Sequence, residues 1–219
     1  MALGGSVTYG QQSSHGNGYR ESLYKMLMSD GYSIEMVGSR KSGSMKNSDH
    51  EGWRGFRIEQ IIKKAKQSVS IYKPNVFTLN AGANDCLQDF EMDCIGKRMA
   101  SMLDYLWTTS PGSTIILSTL LVNADKRTES RVLRVNQEFR EIAEQKLSEH
   151  RNIVLVDMHG GDGPQIDELT DGTHPNDAGY DKMANIWHRG FQEAVSKRML
   201  PPPRVNSQTG RSCGISVTE

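Results

Sequence analysis

The sequence has no excess of charge of either sign, because 26 lysines and arginines are balanced by 26 aspartates and glutamates. Binding to nucleic acid needs a basic surface that neutralises phosphates, and attachment to anionic lipid needs a polybasic segment. Long apolar runs are lacking too, since no segment approaches the roughly 18 apolar residues of a membrane-spanning helix. These absences argue against nucleic acid and membrane as partners and favour a soluble protein.

Cysteine is scarce, with three residues in 219. Cys86 and Cys94 lie eight positions apart and could form a disulfide in an oxidising compartment or remain free thiols; their spacing is compatible with both. Residues 1–6 lack the basic and apolar regions of a signal peptide. The protein is therefore either intracellular or its sequence begins after such a signal.

Apolar periodicity predicts alternating strands and helices. Short apolar runs rich in β-branched residues predict strands at residues 34–37, 76–79, 114–117 and 153–156, with a very short first strand at residues 1–3. Apolar residues at three- and four-residue spacing predict helices at residues 19–29, 58–65, 99–106, 132–143 and 177–197. This alternation is typical of a parallel sheet covered by helices on both faces.

The chain is long enough for one domain followed by a tail. Three consecutive prolines, residues 201–203, stop the last predicted helix, and the residues after them offer little that could pack. We therefore expect one domain over residues 1–198 and a Pro-rich, disordered C-terminal tail over residues 199–219.

Residues with catalytic potential follow two of the predicted strands and precede the last predicted helix. Ligands of open parallel sheets bind beyond the carboxyl ends of the strands. Ser6 follows the first strand and could be either a turn residue or a nucleophile. Asp171, three residues before His174, could fix the tautomer of its imidazole and leave Nε2 free to take a serine proton.

An oxyanion would need hydrogen-bond donors at the same edge. Asn84 follows another strand and could be a turn residue, but its side-chain amide could also donate to an oxyanion. A second donor could be a glycine N–H within residues 50–55, just before a predicted helix. No Walker or dinucleotide-binding fingerprint is present.

Four short blocks, in this order, resemble those of the SGNH (GDSL-type) hydrolase superfamily. Residues 4–8 read Gly-Gly-Ser-Val-Thr, close to the family's Gly-Asp-Ser-x-Thr. Gly55 matches the glycine block, with Gly52 as a rival assignment. Residues 82–85 match Gly-x-Asn-Asp, and residues 171–176 match Asp-x-x-His-Pro. Residues 50–55 and 171–176 look most like carbohydrate esterase family 3, and the resemblance covers residues 1 to 198.

This resemblance implies a flavodoxin-like three-layer α/β/α sandwich with a five-stranded parallel sheet. It also implies a triad of Ser6, Asp171 and His174, and an oxyanion hole of the Ser6 and Gly55 N–H groups and the Asn84 amide. The implied activity is a serine esterase that uses no metal ion and no organic cofactor. Its implied substrates are short acyl esters, acetyl above all, on polysaccharides such as xylan. Because many members are secreted, secretion is favoured over a cytoplasmic location.

One departure from the family keeps alternatives open. The aspartate that precedes the family's serine is Gly5 here, which could loosen the loop that presents Ser6. A carbohydrate-binding protein of the same fold with an impaired triad is therefore one alternative. A lipid esterase or thioesterase of the superfamily is another. A flavodoxin-like cofactor binder ranks last, because Val7 and Tyr9 interrupt the loop and no glycine directly follows Thr8 to open a phosphate cradle.

Other conspicuous residues are expected to be structural. Trp53 could stack on a sugar or fill its loop, whereas Trp107 and Trp187 lie at helical spacing among apolar residues and are expected in the core. Asp157 and Asp162 are expected to be solvated loop carboxylates rather than metal ligands. No role is expected for the remaining histidines: His15, His50, His150, His159 and His188.

Overall fold

The computed structural model describes residues 1–205, 212–213 and 215–217. Its helices are α1 (Ser6–Tyr9), α2 (Tyr19–Ser29), α3 (Ile58–Tyr72), α4 (Ala83–Gln88), α5 (Ile95–Thr109), α6 (Lys126–Ser148) and α7 (Asp177–Ser196). Its strands are β1 (Ala2–Gly4), β2 (Tyr32–Ile34), β3 (Arg40–Lys41), β4 (Asp49–Gly52), β5 (Val76–Asn80), β6 (Thr114–Ser118), β7 (Ile153–Val156), β8 (Arg204–Val205), β9 (Ser212–Cys213) and β10 (Ile215–Val217).

The main sheet has six strands in the order β3-β4-β1-β5-β6-β7. Strands β4, β1, β5, β6 and β7 run parallel to one another, and β3 pairs antiparallel with β4 at the edge of the sheet. The predicted α/β class with a parallel sheet is therefore confirmed, with six strands in place of five. All carboxyl ends of the parallel strands meet at one edge of the sheet.

Helices cover both faces of the sheet and complete three layers. Side chains of α3, α5 and α6 pack on one face, and those of α2 and α7 pack on the other. Trp107 lies in the first of these clusters and Trp187 in the second, and both are buried as predicted. None of the helices in the described residues combines the length and apolar character that a membrane span needs.

The prediction that residues 34–37 form a strand of the main sheet is wrong. Tyr32–Ile34 instead pairs antiparallel with β10 in a separate two-stranded sheet. The place beside β1 is taken by β4, which carries the fully buried His50 and Glu51. Polar residues can occupy a buried strand when each finds a hydrogen-bond partner, and an apolar pattern cannot reveal such a strand.

The C-terminal segment differs in part from the predicted disordered tail. Where the structure describes residues beyond 203, their backbone forms β8, β9 and β10, and β10 satisfies the open edge of β2. The rest of the predicted tail beyond residue 205 lies outside the described residues. Of the two cysteines that could have paired, Cys86 is buried and Cys94 exposed, and both are free thiols. Burial and the neighbouring Asp85 raise the pKa of Cys86 to about 12.

The end of β1 leaves no room for a side chain. Gly4 is paired on one side with Gly52 and on the other with Asn80. A Cβ atom on Gly4 would lie 2.1 Å from the Asn80 carbonyl oxygen and 2.5 Å from Thr8 Oγ1. Glycine is therefore required where the strand turns into the helix that begins at Ser6.

We expect Gly4→Ala to lower the free energy of unfolding by about 1–3 kcal/mol, because the added methyl group overpacks rigid backbone. Urea denaturation measures this change. Gly161→Ala is the matched control, since its Cβ would meet nothing within 4 Å, and it should shift stability by less than about 0.5 kcal/mol. Equal unfolding midpoints for the two variants would contradict the close approach at Gly4.

Candidate active site

The loop after β1 places Ser6 at the start of α1, at the carboxyl edge of the sheet. Only Gly5 separates the end of the strand from Ser6, so the serine leaves the sheet on a tight turn. Its side-chain oxygen lies 2.7 Å from Nε2 of His174, although the two residues are 168 positions apart in the sequence. The structure thus brings together two of the residues that the sequence analysis singled out.

Asp171 lies on the other side of the same imidazole. Its Oδ2 is 2.8 Å from His174 Nδ1, and its Oδ1 accepts the His174 backbone N–H at 2.8 Å. An ionised carboxylate can only accept, so Nδ1 carries the proton and Nε2 offers its lone pair to the Ser6 hydroxyl. Partial burial acts to raise the pKa of Asp171, but the hydrogen bonds from His174 outweigh it and lower that pKa to about 2.

The loop that carries Asp171 and His174 is tied down at several points. Its two ends form an isolated bridge between Leu169 and Pro175, and Gly172 has the left-handed φ of +79° that its turn requires. From outside the loop, the Ala124 N–H donates to the Gly172 carbonyl at 2.9 Å, and the Asn123 amide donates to Thr173 Oγ1 at 3.0 Å. Residues 123 and 124, in the segment before α6, therefore hold this loop in place through hydrogen bonds.

The amide of Asn84 lies beside the turn that presents Ser6. A Cβ atom on Gly5 would lie 3.4 Å from Asn84 Nδ2, which places this nitrogen next to the loop. Nδ2 donates to the Phe56 carbonyl at 3.1 Å. An amide nitrogen carries two hydrogens, so a second N–H remains for an incoming oxygen atom.

The structure distinguishes between the two rival glycines. The Gly52 N–H already donates to His50 Nδ1 at 2.9 Å and lies within β4. Gly55 is in the exposed turn between β4 and α3, with φ of +76°, and its N–H has no hydrogen-bond partner among the described residues. The same holds for the N–H of Ser6 at the start of α1. Of the two glycines, only Gly55 has an N–H without a partner among the described residues.

Asp85, the residue after Asn84, holds the turn that contains Gly55. Its fully buried carboxylate accepts the Ile58 N–H at 3.1 Å and a hydrogen bond from Arg98 at 2.8 Å. Burial raises its pKa to about 6, although the Ile58 N–H and Arg98 act in the opposite direction. In the sequence Asp85 stands out only as part of a motif, and no local signal predicts that it anchors the start of α3.

Arg20 is a second residue that sequence reasoning missed. It is fully buried, and its guanidinium donates to four backbone carbonyls, one at the end of α1 and three in two loops: Tyr9, Gly16, Ser42 and Ser48. These contacts fix the end of α1 against the loop that precedes β4. The only sequence signal was an arginine on the side of α2 that the apolar pattern buries.

His50 has a structural place, as the sequence analysis expected of histidines without a role. It is buried between Ser42 Oγ, at 2.7 Å from Nε2, and the Gly52 N–H. Burial, followed by the nearby Arg20 and Arg40 charges, lowers its pKa to about 3, which keeps the imidazole neutral.

Asp157 and Asp162, which the sequence places in loops, bond to other side chains. Asp157 accepts hydrogen bonds from Thr119 and Arg140, and Asp162 pairs with Arg189. Within residues 1–205 and the two short described segments beyond them, no three or more histidine, cysteine or carboxylate side chains are arranged to hold a metal ion.

Comparison of the sequence with known proteins gives a family match over most of the chain. Residues 2–182 match the GDSL-like lipase/acylhydrolase family. The sequence is also 26% identical over 216 residues to a multidomain esterase of Ruminococcus flavefaciens, covering 85% of this chain and 27% of that protein. The chain therefore spans about a quarter of the length of this curated relative.

Solved structures with similar folds include two carbohydrate esterases. A family 3 carbohydrate esterase of Clostridium thermocellum superposes with a TM-score of 0.79 at 26% identity, covering 90% of this chain and 96% of that one. A family 3 carbohydrate esterase of Talaromyces cellulolyticus superposes with a TM-score of 0.73 at 20% identity, covering 90% and 97%. The second likeness concerns the fold alone.

The lowered pKa of Asp171 predicts how acid affects stability. Its folded pKa of about 2 lies below the ordinary 3.8, so the folded state is stabilised above about pH 4 and loses this contribution as the pH falls toward 2. The free energy of unfolding of the wild type should therefore exceed that of Asp171→Asn most at pH 5. Urea denaturation from pH 5 to pH 2 should show this gap narrowing, and a constant gap would contradict the assignment.

Proposed function

This chain belongs to the GDSL-like lipase/acylhydrolase family and is a hydrolase that acts on esters, and from that premise we propose a serine mechanism and a substrate. Ser6, His174 and Asp171 form the catalytic triad, and the substrate is a short acyl ester, acetyl first, on a polysaccharide such as xylan. The observation that carries this proposal is the continuous contact from Ser6 Oγ through His174 to Asp171, at 2.7 and 2.8 Å.

In the first half of the reaction, Ser6 Oγ attacks the carbonyl carbon of the ester while His174 Nε2 takes the hydroxyl proton. Positioned proton transfer of this kind contributes roughly 10²–10⁴-fold to the rate. Asp171 keeps the proton on Nδ1 and stabilises the imidazolium that forms. When the bond to the alcohol breaks, His174 returns the proton to the leaving oxygen, and the acyl group stays on Ser6.

The negative charge on the carbonyl oxygen needs donors that are already in place. The N–H groups of Ser6 and Gly55 and the second N–H of Asn84 fill this role in the proposed mechanism. Each such donor is worth about 10²–10³-fold in turnover. The bond from Asn84 to the Phe56 carbonyl and the bond from Ile58 to Asp85 hold two of these donors in position before substrate arrives.

The second half of the reaction repeats these steps with water. His174 takes a proton from a water molecule, which attacks the acyl carbon on Ser6. The same donors stabilise the second oxyanion, and collapse returns the proton to Ser6 and releases the acid. Ser6, Asn84 and His174 each expose only 9% of their surface. Because so little of each side chain is exposed, we propose that the site takes a small acyl group such as acetyl.

The polysaccharide part of the proposal rests on the relatives. The solved structure with 26% identity is titled a family 3 carbohydrate esterase, and the curated relative is named a multidomain esterase. We infer that the acyl group is carried by a sugar chain, that residues 1–198 form the esterase domain, and that the enzyme acts outside the cell, where such chains occur.

A second candidate function keeps the fold but not the activity. Gly5 is the N-cap of α1 and makes no side-chain capping bond, whereas the family's aspartate could supply one. If the loop were too loose for catalysis, the protein would bind carbohydrate without hydrolysing its ester groups.

The serine mechanism predicts that Ser6→Ala loses at least about 10³-fold in kcat for p-nitrophenyl acetate, because the nucleophile is removed. Hydrolysis is followed by absorbance, and circular dichroism verifies that the variant is folded. Ser70→Ala, which removes an exposed hydroxyl on α3, is the control and should keep wild-type activity. Residual activity in Ser6→Ala equal to that of the control would rule out Ser6 as nucleophile.

Gly5→Asp separates the two candidate functions. A Cβ atom at this position meets only ordinary contacts, at 3.4 and 3.9 Å, so the aspartate fits and should raise stability by about 0.5–1 kcal/mol. For a competent enzyme we expect its turnover of p-nitrophenyl acetate to change by less than about tenfold, which is 1.4 kcal/mol in the barrier. An inert wild type that gains activity from Gly5→Asp would favour the binding protein instead.

A further inference from the structure

Three cations gather on two aromatic rings beside the proposed active site. The guanidinium of Arg40 lies 4.4 Å from the Trp53 ring centre, and Lys64 Nζ lies 4.9 Å from the same ring. Arg54 lies 5.5 Å from the Tyr9 ring centre. Stacking on an aromatic face stabilises a cation and restricts its position. We refer to Arg40, Arg54 and Lys64 as the cationic rim.

The cationic rim is part of the same structure that presents the reacting groups. Arg54 directly precedes Gly55, the proposed backbone donor. Tyr9 is the last residue of the one-turn helix that begins at Ser6. The Trp53 N–H donates to the Gly4 carbonyl at 2.9 Å, which joins the rim to the end of β1. The cationic rim is therefore built on the same backbone segments that carry Ser6 and Gly55.

The cations of the rim are not neutralised by direct ion pairs. In the part of the chain that the structure describes, none of its three members forms an ion pair. Glu51, the carboxylate nearest in sequence to Arg54 in β4, is fully buried and accepts from Ser39 and the Trp53 indole. A local excess of positive charge therefore stands on a chain whose formal net charge is zero.

Arg54 is the member of the rim that is free to bind. Its side chain is exposed, and its Nε donates to Gln11 Oε1 at 2.8 Å. Its two terminal nitrogens have no hydrogen-bond partner among the described residues. A guanidinium held at Nε and by stacking presents these two nitrogens as a fork, the geometry that binds a carboxylate through two parallel hydrogen bonds.

We propose that the cationic rim is a subsite for a carboxylate on the sugar chain, so that the enzyme prefers acetylated polysaccharide bearing uronic acid groups over the neutral polymer. This inference rests on the proposed function, since it assumes an ester substrate on a sugar. Arg54 binds the carboxylate directly, and Arg40 and Lys64 add to the attraction. A phosphate-rich polymer fits less well, because three cations are few for a backbone that carries a charge at every unit.

The turnover experiment compares acetylated xylan with and without glucuronic acid side groups. For wild type, kcat/KM should be higher on the acidic polymer, and this ratio should fall about three- to tenfold in Arg54→Gln, as loss of a well-oriented ion pair predicts. Arg54→Lys, which keeps the charge but not the fork, should recover part of the ratio. Raising the salt concentration should lower the wild-type ratio as well.

Arg151→Gln is the matched control variant. Arg151 is also exposed and also lies 5.5 Å from an aromatic ring centre, that of Trp107, but it precedes β7 at the opposite edge of the sheet. This variant should leave the acidic-to-neutral ratio unchanged. An equal fall in the ratio for both variants would overturn the proposal, as would an equal loss on both polymers in Arg54→Gln.

A binding experiment tests the subsite independently of catalysis. Calorimetry with Ser6→Ala should show tighter binding of a xylo-oligosaccharide with a glucuronic acid group than of the neutral one, and Arg54→Gln in the same background should remove the difference. Equal binding of the two sugars would overturn the subsite. If the preference is present but wild type cleaves no ester, the subsite stands and the proposed function fails.

Discussion

The backbone contact at the end of β1 is the constraint on which the rest of the site depends. Gly4 lies between two neighbouring strands so closely that a single Cβ atom would overlap the Asn80 carbonyl. A second close backbone contact lies at the end of β4, where a Cβ atom on Gly52 would lie 2.5 Å from the Tyr9 nitrogen. Because neither glycine has a side chain, α1 can pack directly against the ends of the strands, and this contact sets the position of Ser6. The hydrogen-bond distance from Ser6 to His174 depends on that position.

Hydrogen bonds to charged side chains hold the active-site segments in place. Asp171 is held by two backbone N–H groups as well as the imidazole, so its charge and orientation do not depend on His174 alone. Asp85 and Arg20 act at a greater distance from Ser6, one on the turn before α3 and the other on the end of α1. Buried charges of this kind are tolerated because the Asp85 carboxylate and the terminal nitrogens of Arg20 have hydrogen-bond partners.

Local patterns in the sequence predict much of this molecule. The parallel sheet follows from short apolar runs between amphipathic helices. The meeting of Ser6, Asn84 and His174 follows from the places of the first two after strands and of His174 before the last helix. Strand β4 was missed because its buried residues are polar, and their partners, Ser39 and Ser42, lie on a different segment. Gly52 and Gly55 differ in one hydrogen bond, from the Gly52 N–H to His50, and no sequence motif indicates that bond. The ligands of Arg20 are backbone carbonyls, which carry no sequence signature.

The long sequence separation between Ser6 and His174 has a consequence for folding. Loop-closure entropy makes contacts between distant residues slow to form, and a sheet whose central strand pairs only with later segments has a high contact order. Secondary structure and collapse can therefore precede docking of the loop that carries His174. Regain of activity during refolding would report that last docking step, whereas far-ultraviolet circular dichroism would report the earlier formation of helices and sheet.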